Sequence, residues 1–291
     1  MDRIVKKMLD RLAPSTLFEV KTGIRQVAVE IILCALSRSG FFKLAALNGD
    51  TARRIQYGLD GFSHTLEFSL LKPDPGFRIE KFLPVIEKEL RSYGLNFQSE
   101  LKDNGKDSFF SSAYLYGNTE EHMLKLCDDK EMAESVSDTD RIKVKIEVDT
   151  DPPLYAGYDT VKRELPVPFD VYTYDLPSLF AEKIDNTICR IWNSRTRGWD
   201  LYDFDFYMKK GQPVNLKHLW SSLLYSGYVE AREDMTLDEV KANLCYRFKE
   251  VNYERAKIDL LPFIDDKESL DAWSAEYFCG ISEALIAVNC S

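Results

Sequence analysis

Asn48-Gly49-Asp50-Thr51 stands directly before a short segment carrying Arg53 and Arg54. A turn of this kind at a helix start presents free backbone N–H groups, and arginines one turn on add positive charge, so the stretch suits a phosphate. An ordinary helix cap would use the same residues, because Asp and Thr both cap well. The run that follows, "LEFSLLK" over 66–72, alternates Leu66, Phe68 and Leu70 against Glu67 and Ser69, the pattern of a half-buried strand. Strand side chains alternate with period two, so Thr65 and Glu67 share one face. Two carboxylates at such positions hold Mg²⁺ against phosphate oxygens in nucleotidyl transfer. Here one position is a threonine and the other a glutamate. Glu147 and Asp149, on the polar side of "RIKVKIEVDT" (141–150), are candidates for a further metal carboxylate.

Later residues offer charge with less pattern. Lys183 follows Glu182 on an amphipathic helix; it is either a solvent-facing lysine paired with a neighbouring acid or a cation that neutralises phosphate in a cleft between domains. Asp200 and Asp203 are three apart and share a helix face, and Asp200, after "TRG", also suits a helix N-cap. Arg190, Arg195 and Arg197 cluster around Trp192 and Trp199. That mixture suits stacking on single-stranded RNA, or a solvated turn with two core tryptophans. The three histidines, His64, His122 and His218, are isolated, and neither a Ser-His-Asp nor a Cys-His arrangement is readable.

Elements that position these groups follow from periodicity. Helical spacing predicts helices over 3–12, 21–38 and 79–92, with a short one at "TARRIQYG", while "FFKLAAL" (41–47) is ambiguous. Strands are expected near 66–72, 95–101, 108–116, 141–150 and 167–174, and the acidic stretch 128–140 reads as flexible. From 176 onward only helices are expected: 176–190, 199–210, 215–225, 236–250 and 268–287. The order predicts an α+β domain over 1–175 followed by a helical domain over 176–291.

The chain has 291 residues, 45% of them hydrophobic and 12% aromatic, enough for two packed cores. Its net charge of −10 argues against general coating of nucleic acid but leaves room for a local basic patch. No apolar run is long enough for a transmembrane helix, and "MDRIVKKMLDRLAP" lacks the apolar stretch of a secretory signal. Six cysteines without a C-x-x-C pair make zinc unexpected and point to buried, reduced thiols in a cytoplasmic protein.

Together these segments resemble the AbiEii-type toxin nucleotidyltransferases, a branch of the polymerase-β-like superfamily that includes the MenT toxins. The likeness lies in "GFFKLAALNGDTARRIQYGLDGFSHTLEFSL", at Gly49, Thr51, Ala52, Arg54, Tyr57, Gly58, Leu59, Phe62, Ser63, Leu66 and Phe68. It continues in "LPSLFAEKIDNTICR" (176–190) and "RTRGWDLYDFDFYMKKG" (197–211). The departures are Asp50 for a second glycine, Gly61 for arginine, His64 for an acid, Thr65-x-Glu67 for Asp-x-Asp, and Trp199 for arginine. The resemblance implies a mixed sheet flanked by helices, then a helical bundle. It implies an enzyme that moves nucleotides from NTP to RNA, the tRNA 3′ end foremost, with Mg²⁺ and a cognate antitoxin, in a toxin–antitoxin or phage-defence system. Gly49, Asp50, Thr51, Arg54 and Ser63 would hold the nucleotide; Glu67, with Glu147 or Asp149, the metal. Lys183, Asp200 and Asp203 would be catalytic. Loss of one metal carboxylate also leaves open a catalytically impaired protein that acts by nucleotide or partner binding.

Overall fold

Thr16 opens the longest helix of the protein. The computed structural model describes residues 3–58, 65–105, 108–126, 129–190, 197–230, 234–262, 264 and 266–288. Two units are distinguished, Met1–Pro152 with Tyr158–Thr173, and Pro153–Gly157 with Tyr174–Ser291.

In the first unit α1 (Arg3–Asp10) leads to α2 (Leu17–Arg38). The Thr16 hydroxyl accepts from the Glu19 N–H while the Glu19 carboxylate accepts from the Thr16 N–H, a capping box that starts α2 four residues before the expected 21. From Val27 to Leu36 every residue of α2 is buried, so it forms a core of its own width. A 3-10 turn at Phe41–Lys43 and then β1 (Ala45–Asn48) resolve the ambiguous apolar run. There follow α3 (Gly49–Tyr57), β2 (Thr65–Leu70), α4 (Leu83–Ser92), β3 (Phe97–Lys102) and β4 (Phe110–Asn118). Next come α5 (Thr119–Leu126), α6 (Lys130–Glu134), β5 (Arg141–Asp149), β6 (Tyr158–Arg163) and β7 (Phe169–Tyr174).

The seven strands form one mixed sheet in the order β3-β4-β5-β2-β1-β7-β6. Strand β2 runs antiparallel to β1 and parallel to β5, and β4 is antiparallel to both β3 and β5. Alternation fixes its core face. Leu47, Leu66, Phe68, Leu70, Ala113, Leu115, Ile142, Val144, Ile146 and Val148 are all buried there, each large one contributing about 1.5–3 kcal/mol. Phe41 closes this core edge-on to Phe68 and Phe82, with ring centroids 4.9 and 5.0 Å away. The mixed sheet with flanking helices is the expected class. One expectation is corrected: 130–134 is helical, capped by Asp129, and Asp140 is tied to Lys21 Nζ at 2.6 Å and to the Thr119 hydroxyl at 2.9 Å.

The second unit contains α7 (Leu176–Cys189), α8 (Gly198–Lys209), β8 (Val214–Asn215), α9 (Leu216–Tyr225), α10 (Leu237–Phe248), α11 (Tyr253–Leu260), α12 (Ala275–Ser282) and β9 (Ala287–Val288). The expected single helix over 268–287 is instead a 3-10 turn at Glu268–Leu270, then α12, then β9. Ser274 restarts the helix by accepting from the Tyr277 N–H, and β9 pairs in parallel with β8. Phe180 stacks on Tyr207 at 4.7 Å, and Phe248 meets Phe278 at 5.1 Å, forming an aromatic core. Segment 153–157 is fastened here: Leu154 N donates to Ser221 Oγ, Gly157 N to Ser178 Oγ and Asn215 Nδ2 to the Tyr155 carbonyl. The expectation of reduced thiols throughout is also corrected, because Cys245 and Cys279 form a disulfide between α10 and α12. Cys34 is free and buried. Among the described residues no helix is long and apolar enough to cross a membrane.

Candidate functional site

Gly49 is the tightest point of the first unit. It adopts φ +66°, a left-handed conformation suited to glycine, as β1 turns into α3. A Cβ there would lie 1.8 Å from Glu67 Oε2 and 2.9 Å from Glu67 Cδ. The Glu67 carboxylate therefore rests on the backbone of the turn, and the glycine is required by a side chain of this protein as much as by any ligand. Asn48 and Glu67 are register partners, which brings turn and strand together. Asn48 Nδ2 donates to Ser69 Oγ at 3.0 Å, fixing the strand end that carries the turn.

The other expected nucleotide-binding residues are distributed along α3. Thr51 is buried and its hydroxyl donates to the Thr65 carbonyl at 3.1 Å, tying α3 to β2. Asp50 is 44% exposed and faces Arg53 Nη2 at 3.8 Å, a surface contact of small energetic weight. Arg54 lies one residue further on, half-buried, and its carbonyl accepts from the Gly58 N–H. Ser63 lies outside the described residues, as do His64, Trp192 and Arg195.

The carboxylates expected to hold metal share the polar face of the sheet. Glu67 is the register partner of Glu147, and Ser69 that of Asp149, across parallel strands β2 and β5. Glu147 is paired with Lys145 Nζ at 2.5 Å and accepts from Ser112 Oγ at 3.2 Å. Burial, with Asp151 and Glu147 adding negative charge nearby, pushes Asp149 up to about 6, although it accepts a bond from the Asp151 N–H. No three acidic, histidine or cysteine side chains among the described residues are grouped to cage a metal. Mg²⁺ commonly keeps its waters and phosphate oxygens and needs only one or two protein carboxylates. Glu67 and Glu147, adjacent on one face, fit that lighter demand. Beside this row opens a cavity of about 630 Å³, lined in part by Phe77, Arg78, Lys102, Phe110 and Ser112, a volume in the range of small-molecule sites.

In the second unit the sequence-expected residues form two ion pairs between the chain of α7 and α8. Lys183 Nζ lies 3.0 Å from Asp203 Oδ2, and Asp203 is 2% exposed. Arg190 Nε lies 2.6 Å from Asp200 Oδ2, which is 5% exposed. Lys183 is thus held by a buried acid across the helix pair, not by the adjacent Glu182. Asp200 is not the N-cap either: Arg197 occupies that position and Asp200 sits in the first turn, where a carboxylate also suits the helix dipole. Arg190, weighed above as an RNA-stacking residue, is instead largely enclosed by this pairing, while Trp199 packs edge-on against Tyr202 at 5.7 Å. The Arg190–Asp200 pairing could not be read from helix spacing, since the two partners are ten residues apart in sequence. A third acid of α8, Asp205, accepts from the Tyr277 hydroxyl at 2.6 Å and pairs with Lys209 at 2.7 Å.

Among solved structures, JHP933 from Helicobacter pylori is similar at 16% identity and TM-score 0.48, over 89% of each chain. MenT4, a nucleotidyltransferase toxin from Mycobacterium tuberculosis H37Rv, is similar at 13% identity and TM-score 0.49, over 96% of this chain and 97% of its own. A search of curated protein sequences returned no match. The family model for the nucleotidyl transferase AbiEii toxin of type IV toxin–antitoxin systems matches residues 31–277, most of the chain and every motif named above. The protein belongs to the AbiEii nucleotidyltransferase toxin family.

Proposed function

We propose that the protein is a working toxin of this family that transfers a nucleotide from an NTP to RNA, the tRNA 3′ end being the expected acceptor, and that a cognate antitoxin restrains it. The observation that carries this reading is the seating of Glu67 on the Gly49 turn, with Glu147 beside it on the next strand. Despite the loss of the Asp-x-Asp pair, a carboxylate still stands where turn and strand meet. In the transfer, the RNA hydroxyl oxygen bonds to the α-phosphorus as the bond to pyrophosphate breaks. The Gly49-Asp50-Thr51 turn and Arg54 hold the triphosphate, with Ser63 as the remaining family-matched contact. Glu67 and Glu147, with Asp149 next on the face, would hold Mg²⁺, which neutralises charge on the phosphate oxygens when bound. In the helical unit, Lys183 with Asp203, and Asp200 with Arg190, are the ion-paired residues to which the family resemblance assigns a catalytic part. Phage defence in the cytoplasm is the setting that such a toxin fits.

A second reading has its own observation. Glu147 is already ion-paired with Lys145, so the strand face offers less free negative charge than two aspartates would. That favours a protein that binds nucleotide or a partner without transfer. Crystals soaked with NTP and Mn²⁺ separate the metal question from turnover. Anomalous density beside Glu67 supports the transferase; nucleotide bound with no metal there supports the binding protein.

A further inference from the structure

Beyond the carboxylate row, the same polar face of the sheet carries residues that the transfer site does not use. Register partners share a face, so Gln98, Tyr116 and Lys143 form one row across β3, β4 and β5, and Glu100, Tyr114 and Lys145 form the next. Lys102, Ser112 and Glu147 form the third, which Glu67 continues on β2. Tyr114 and Tyr116 lie side by side with ring centroids 5.8 Å apart. The Lys143 ammonium sits 3.6 Å from the centre of the Tyr114 ring and 5.5 Å from that of Tyr116. Phe110, 44% exposed, ends the aromatic row on β4. Lys102 and Lys143 are exposed and both tyrosines are half-buried, whereas the opposite faces of β4 and β5 are buried at Ala113, Leu115, Ile142, Val144, Ile146 and Val148.

Solubility alone asks for charges on an open sheet face, not for three aromatics in line along one strand. Rings flanked by ammonium groups have a specific use: they stack unpaired bases whatever their identity while the cations meet backbone phosphates. Tyr116, Tyr114 and Lys143 lie toward one end of the face, and the row of Glu147 on β5 and Glu67 on β2 lies one side-chain step beyond Tyr114, with Lys102 at the β3 edge of that row. Glu100, across from Tyr114 on the edge strand, bounds the track on its outer side. We propose that this face binds the single-stranded 3′ segment of the RNA acceptor, with Tyr114 and Tyr116 stacking its last bases and Lys143 and Lys102 holding phosphates; this rests on the reading of the protein as an RNA-modifying transferase.

The test uses the full chain and a fluorescently labelled short single-stranded RNA, without NTP or Mg²⁺, followed by anisotropy. Tyr114→Ala and Tyr116→Ala are each expected to weaken binding about 5-fold to 150-fold, the range for loss of one stacked base. Tyr114→Phe keeps the ring and should stay within about 2-fold. Lys143→Gln should lower the slope of log affinity against log salt by about 0.7, one phosphate contact on a single strand. Circular dichroism melts check that each variant is folded. In the transfer assay the KM for RNA should rise in the tyrosine variants while that for NTP stays fixed. Unchanged RNA affinity in a folded Tyr114→Ala/Tyr116→Ala variant overturns the proposal, as does capture of an acidic peptide in place of RNA. Ring-dependent RNA binding by a protein that transfers nothing would leave this surface standing and remove the transferase reading; transfer that ignores both rings would do the reverse.

Discussion

Replacing Gly49 with alanine tests whether Glu67 and the turn form one unit. Alanine at φ +66° costs about 1–2 kcal/mol as a left-handed L-residue. Its Cβ would also fall 1.8 Å from Glu67 Oε2, so the Glu67 side chain must leave its seat. A flexible carboxylate can rotate away, at about 1 kcal/mol for a poorer rotamer. The expected total is about 2–3 kcal/mol. In a Glu67→Ala background the overlap vanishes, and the same glycine change should cost only its conformational part, leaving a coupling of about 1 kcal/mol. All four tryptophans lie at residue 192 or later, so fluorescence would report on the other unit. Native-state hydrogen exchange of peptides spanning β1 and β2 is the suitable assay. Equal costs of Gly49→Ala with and without Glu67 would refute the seating of Glu67 on the turn.

Three further expectations concern stability. Gly198→Ala places a Cβ 2.1 Å from the Ala256 carbonyl oxygen, a backbone atom that can move only if α8 and α11 part, so tryptophan-monitored urea unfolding should show a loss of about 1–3 kcal/mol or more. His122 and His218 are buried, and desolvation lowers both below the ordinary imidazole range; each Nδ1 bonds a backbone carbonyl and so carries the hydrogen of a neutral ring. The unfolded chain therefore binds more protons below about pH 6.5, so their contribution is complete above that pH and is lost as pH falls. Urea midpoints at pH 7.5 and 5.5 should differ less in His122→Gln than in the wild type; an unaltered difference would contradict this. Reducing Cys245–Cys279, 34 residues apart, should cost the helical unit up to about 4 kcal/mol by the loop-closure relation, read as a drop in urea midpoint on adding a thiol reductant. An unmoved midpoint with the bond broken would exclude that contribution.

The readable parts of the fold were those with a buried face. Strands β2 and β5 alternate apolar and polar residues because one side packs and the other does not, and their boundaries moved by at most two residues. Strand β6, "YDTVKR", has no buried residue and sits at the sheet edge, so it carries no alternating signal to detect. The helix expected over 268–287 failed for two reasons: Ser274 caps a new helix through a local bond from the Tyr277 N–H, and Ala287–Val288 finds a strand partner in β8, a contact distant in sequence. At the site, the turn at Gly49 and the strand at Glu67 were legible, but their contact was not, because it depends on register. The Arg190–Asp200 and Lys183–Asp203 pairs were hidden similarly, since helix spacing shows which residues share a face but not which helix lies opposite. The disulfide had no motif to announce it.

Nucleotide transfer itself decides whether Thr65-x-Glu67 supports chemistry. The full chain would be incubated with Mg²⁺, each NTP labelled at the α-phosphate, and total tRNA, and the RNA 3′ ends examined for label. Label on RNA from at least one NTP, lost in both Lys183→Ala and Glu67→Ala while those proteins remain folded, is the expected result. An NTP that binds the wild type yet never reaches RNA, or label undiminished in both variants, would contradict it.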